Sequence, residues 1–134
     1  MSAHEIVTAP ELAEPVGFAH AVVAGPGRTV YLGGQTAQGS DGAIVGTTLV
    51  EQFDVAAGNV AAALRAAGSS PDQLVSLIIY TTAVGEYRSS LPELGPVWRK
   101  HFGRHYPAVA LLGVAELFDP AAKVELVGTA VIPA

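Results

Sequence analysis

The run AKVELVGTAVIP near the end of the chain constrains the fold more than any other stretch. Read as a strand, it points Val124, Leu126, Gly128, Ala130 and Ile132 one way, and Glu125, Val127, Thr129 and Val131 the other. Both sets are largely apolar, so both faces of the sheet it belongs to need cover. The rest of the chain supplies helices for one face only. In 134 residues the second layer is then expected from another subunit, and we predict an oligomer.

The other elements follow from periodicity and punctuation. AVVAGPGRTVYLGG reads as two short strands joined by a turn at Gly25-Pro26-Gly27, and Asp41-Gly42 marks another turn. TTLVEQFDVAAGNVAAALRAAG is the clearest helix. Thr48 and Glu51 have capping-box spacing, Leu49, Phe53, Ala56, Val60 and Leu64 form one apolar stripe, and Gly68 supplies the stop. After a turn at Ser70 and Pro71, a strand is expected from about Val75 to Thr82. A second helix should run from roughly Ser89 to Phe102, with Leu91, Leu94 and Trp98 inward and Gly103 ending it. Pro96 predicts a late start or a kink there. PAVALLGVAEL and AKVELVGTAVIP read as two closing strands. The order strands, helix, strand, helix, strands describes one α+β domain over 1–134, two helices packed on one face of a sheet.

Composition narrows the function classes. A net charge of −5 weighs against a nucleic-acid binder, which needs a basic footprint. With no cysteine, disulfides, thiolate metal sites and a thiol nucleophile are all excluded. No apolar run approaches the ~20 residues of a bilayer span, and MSAHEIVTAPELAEP lacks the pattern of a signal peptide. The expected setting is cytoplasmic.

Several motifs, taken in order, resemble the RidA/YjgF family. They are VYLGGQTA, Glu51-Gln52, Asn59 in the first helix, AAG at its end, F-x4-PA from Phe102 to Ala108, and VEL at Val124 to Leu126. The likeness extends from about Glu5 to Ile132. It implies a chorismate-mutase-like homotrimer with a central barrel of sheets, helices outside and ligand clefts between subunits. The implied activity is hydrolysis of reactive enamines and imines such as 2-aminoacrylate, without a metal or organic cofactor. In the deaminating members an arginine directly after Pro-Ala grips the substrate carboxylate, and a glutamate in the last strand positions or activates water. A tyrosine, a serine before Gly-Gln and an asparagine help line the cleft. Here the arginine position holds Val109, the tyrosine position Phe18, the serine position Gly33 and the asparagine position Gly95, while Leu111 replaces a frequent cysteine. Glu125 and the Gly34-Gln35 pair remain.

The loss of the arginine matters most. A guanidinium holds a carboxylate through two charge-assisted hydrogen bonds of ~1.5–3 kcal/mol each, so a valine weakens recognition by roughly a hundredfold or more. A ligand more apolar or less anionic than a small imino acid is therefore expected, unless Arg99, Arg88 or Arg104 of a neighbouring chain substitutes. Glu125, flanked by apolar residues, is the catalytic candidate: partial desolvation favours a general base. The competing role is a structural carboxylate. His20 could donate to a ligand or merely hold an interface, and Gln35 could orient a ligand or hold a turn. Tyr106 and Trp98 offer aromatic walls, with core packing the better reading of Trp98. His101 and His105 have metal-pair spacing, but Gly103 intervenes and no third ligand is evident, so no metal is expected. The basic run RKHFGRHY has sufficient reason in the helix macrodipole.

Overall fold

The first long helix forms where its sequence directs it. In the computed structural model, which describes residues 3–134, α1 spans Leu49–Ala66. The Thr48 hydroxyl accepts from the Glu51 N–H, and the Glu51 carboxylate accepts from the Thr48 N–H, closing the capping box. Gly68, at φ +81°, takes the left-handed conformation that ends the helix. All five residues of the apolar stripe are buried, and so is Gln52.

The main sheet has four strands in the order β3-β6-β4-β5. These are β3 (Gly27–Tyr31), β4 (Leu74–Thr81), β5 (Ala108–Gly113) and β6 (Val124–Pro133). β6 lies antiparallel between β3 and β4, while β5 runs parallel to β4 along one edge. A separate pair, β1 (Glu5–Val7) with β2 (Ala21–Val23), forms a small antiparallel sheet. The strands either side of Gly25-Pro26-Gly27 thus belong to different sheets. Gly27 is itself a strand residue pressed against Ile132, where a Cβ would overlap backbone.

The helices cover one face, as the alternation in β6 requires. Val124, Leu126 and Ala130 join Leu74, Leu77, Ile79, Phe53, Val60 and Trp98 in a single core. On the other face Glu125, Val127 and Thr129 are only half-buried, and Tyr31 beside them is 82% exposed. An α+β sheet with one uncovered and largely apolar face is the expected architecture.

Three local readings are corrected. The second helical region divides into α2 (Val84–Ser89) and α3 (Leu91–Phe102), and α3 continues through Pro96 instead of starting late. Pro92 occupies the first turn, and its carbonyl, which Pro96 cannot serve, lies on the solvent side where both prolines are exposed. Leu91, at the helix start, is 54% exposed rather than inward; Leu94 and Trp98 are buried as expected. PAVALLGVAEL is strand only to Gly113, which packs so close to Val84 that a Cβ there would lie 2.7 Å from it; beyond Gly113 the chain leaves the sheet. RTVYLGG likewise leaves β3 at Tyr31, and Gln35 rejoins the sheet opposite Leu126.

Candidate functional site

The Gly33-Gly34 interruption is where Glu125 sits. On β6 its side chain points to the uncovered face, between the core residues Val124 and Leu126. The carboxylate lies directly over Gly34: an added Cβ would overlap it and fall 2.9 Å from its carboxyl carbon. Glycine at 34 is therefore what allows a half-buried carboxylate to rest on the backbone. Among the described residues no group donates a hydrogen bond to Glu125. Gln35 frames the same corner. Its backbone exchanges two hydrogen bonds with Leu126, of 2.9 and 2.8 Å, and its side-chain amide donates to the Gly33 carbonyl at 3.3 Å. Gly33 itself has open space where a side chain would project.

A second cluster forms at the opposite end of the sheet. Leu12, Phe18, His20, Ile78, Val109 and neighbouring alanines line an open hollow of about 430 Å³ along the β5 edge. Phe18 also borders an adjoining recess of about 220 Å³ with Ile6, Thr8, Arg104 and Tyr106. The Ala19 N–H donates to the Pro107 carbonyl at 2.9 Å, fixing the Phe18 loop against the start of β5. His20 is fully engaged: its Nδ1 accepts from the Ala9 N–H and its Nε2 donates to the Ala13 carbonyl, both at 2.9 Å. That fixes its tautomer and makes it a clasp for the 9–13 loop. Tyr106 stacks on Trp98 with ring centroids 5.2 Å apart, so one face of its ring is packed while an edge reaches the recess. Trp98 donates its Nε1–H to the His105 carbonyl at 3.0 Å and is a core residue.

One chain does not bring these clusters together. Glu125 is opposite Tyr80, which is opposite Leu112, three residues along β5 from Val109. Two strand spacings and three residues place Val109 about 14 Å from Glu125. Their side chains also leave opposite faces, since Val109 pairs with Leu77 and packs against the helix-side core. Leu111 shares that face, and Gly95 stands on α3 with Arg99 as its near neighbour.

The profile of a family described as endoribonuclease L-PSP matches residues 8–132. The chain belongs to that family. Several solved relatives carry the Rid/YjgF name. YyfB of Yersinia pestis, described as a Rid-family protein of unknown function, is 27% identical, with a TM-score of 0.86 over 96% of this chain and 98% of its own. RidA of the Antarctic bacterium Psychrobacter is 26% identical, with a TM-score of 0.67 over 95% and 98%. Rv2704 of Mycobacterium tuberculosis, a YjgF/YER057c/UK114 protein, is 26% identical, with a TM-score of 0.64 over 97% and 100%. No curated protein matches the sequence.

In this Rid-family chain several charged groups besides Glu125 have structural partners. Asp54 on α1 accepts from His101 at 2.6 Å and from Lys100 at 3.0 Å on α3; the His101 bond chiefly holds its carboxyl below the usual range. Glu86 is held low first by Lys123 and then by the Leu49 N–H at the start of α1, each at 2.7 Å. Burial pushes the Tyr87 phenol up to about 12, so it stays protonated against Phe53. His105 donates to the Leu74 carbonyl at 2.8 Å. The two histidines thus face separate partners. Arg88, Arg99 and Arg104 have no ion-pair partner among the described residues, and of the three only Arg104 borders the recesses.

The residue that sequence reasoning left without a role is Gln52. Buried within α1, it donates to the carbonyls of Gly46 and Ala121 at 3.2 and 2.9 Å and accepts from the Lys123 N–H at 2.8 Å. It thereby fixes the start of the strand that carries Glu125. The apolar stripe contained the clue, because Gln52 lies one turn from Leu49 on the inward face.

Proposed function

We propose that this chain forms a cytoplasmic homotrimer whose intersubunit clefts act on a small imine, enamine or carbonyl metabolite, with Glu125 as general base or water activator. The observation that carries the reading is the Glu125 carboxylate: half-buried on Gly34, between apolar strand residues, with no protein donor among the described residues. A structural carboxylate in such a position ordinarily accepts hydrogen bonds; one without them is available to water or ligand. The separation of Glu125 from the Phe18–Val109 hollow supports a cleft assembled from two copies. The uncovered apolar sheet face supplies a surface for assembly.

Val109 and Phe18 make that cleft apolar where a carboxylate clamp would stand, so efficient 2-aminoacrylate deamination is not its role. The RidA name of the Psychrobacter relative supports the imine class, and the valine sets its limit. The Phe18, Gly33, Gln35, Gly95, Tyr106, Val109 and Leu111 positions border the ligand, with His20 holding the loop that carries Phe18.

The test is ammonia release from imines generated in solution, comparing 2-iminopropanoate with imines bearing apolar side chains. Turnover of the apolar set, lost in Glu125→Gln, is expected. Retention of an unchanged ligand without turnover would favour a binding or sequestering trimer instead. Preference for 2-iminopropanoate would indicate a relocated cation, for which Arg104 is the structural candidate.

A further inference from the structure

Phe118 stands fully exposed on the loop between β5 and β6, with Glu116, Leu117 and Pro120 around it. No described residue buries the ring, although a phenyl side chain in water forgoes the stabilisation that burial gives. The loop is nonetheless firmly held. Asp119 accepts from the Ala121 N–H at 2.9 Å, the Ala122 N–H donates to the Asp119 carbonyl at 3.0 Å, and Gln52 bonds Ala121 and Lys123. Phe118 is therefore a preorganised apolar knob.

A socket of matching chemistry lies on the same chain but out of reach. The Leu12–Phe18–Val109 hollow is apolar and open, and sits at the start of β5, whereas the loop leaves its end. Arg104, on the far side of Phe18, has no acidic partner among the described residues; Glu116, two residues before Phe118, is exposed and has none either. Knob and acid on one loop thus complement hollow and base at the other end of the strand. Such a pair of unlike surfaces cannot close within a chain, but it closes a cyclic ring of copies.

We infer that Phe118 of one copy enters the Leu12–Phe18–Val109 hollow of the next, with its Glu116 on the next copy's Arg104. This rests on the intersubunit cleft proposed above: bringing Glu125 of one copy towards Val109 of another carries the β5–β6 loop with it. Phe118 then walls the cleft opposite Phe18. The ligand space lies between two phenyl rings, and the substrates it selects carry a flat or branched apolar group on the imine or carbonyl carbon.

The absence of cysteine makes cross-linking clean. Phe118→Cys combined with Leu12→Cys, and separately with Phe18→Cys, is oxidised and run on a denaturing gel beside sedimentation of the unmodified protein. Covalent dimers and trimers are expected from at least one pair. None are expected from Phe118→Cys alone or from its pairing with Leu91→Cys on the outer helix. An oligomer that gives no cross-link with either pair overturns this inference but leaves the cleft; a monomer overturns both. Glu116→Lys should weaken assembly severalfold, and adding Arg104→Glu should restore it; failure to restore overturns the ion pair.

Discussion

Replacing Gln52 by leucine tests whether the site is held from behind. The substitution keeps volume and apolar contact in α1 but removes three hydrogen bonds, leaving the Gly46 and Ala121 carbonyls and the Lys123 N–H without their partner. Each lost bond is worth about 0.5–1.5 kcal/mol net, and a buried group left unsatisfied costs about 1–3 kcal/mol. Water can reach exposed Ala121, so the lower part of the range applies there, and the sum is about 3 kcal/mol. Leucine recovers part of this through burial, leaving a destabilisation of about 2–3 kcal/mol. With a urea slope of about 2 kcal/mol per molar, the unfolding midpoint should fall by about 1–1.5 M. Because Lys123 leads into β6, activity per folded molecule should fall as well. A midpoint within about 0.3 M of wild type would refute the reasoning, showing that these bonds are exchanged for water without loss.

Three further outcomes follow from the same geometry. Gly34→Ala should displace the Glu125 carboxylate and abolish turnover or ligand binding, whereas Gly85→Ala on α2, which meets open space, should leave both near wild type; equal effects would contradict the placement of Glu125. Val109→Arg with Gly33→Ser should raise affinity for small carboxylates by about tenfold or more, read by calorimetry, since two charge-assisted bonds become available. On acidification, Glu86 and Asp54 both have folded values below their unfolded ones of 4.5 and 3.8, so the folded state binds fewer protons than the unfolded one as pH falls. Their contribution is present above about pH 4.5 and disappears as pH drops through the folded values. Lys123→Met should flatten that acid limb of the stability profile, and an unchanged limb would rule out the Lys123–Glu86 pair as a source.

Legibility followed the range of the interactions concerned. The α1 cap, its buried stripe and its glycine stop are local, and each was readable because a hydroxyl, a carboxylate or a missing Cβ acts within one turn. The α2–α3 region was misjudged because Pro96 is tolerated by an exposed surface that spacing does not reveal. The apolar GVAEL segment looked like strand although β5 ends at Gly113, which packs against Val84, a residue far away in sequence. For the site, the order of motifs was enough to name Glu125, Phe18 and Val109 as candidates, but not to show that Glu125 and Val109 lie about 14 Å apart on opposite faces of one sheet, with Phe18 on a loop beside Val109. The engagement of both His20 nitrogens and the exposure of Phe118 were equally hidden.

By itself the sequence determined the α+β class, the family and the absence of a guanidinium after Pro107-Ala108, because alternation, capping and residue identity are properties of short stretches. Tertiary structure decided which half-buried carboxylate among the described residues is left without a donor and which residues share a wall. Those depend on strand register, where a shift of one residue would turn Glu125 from the open face into the core.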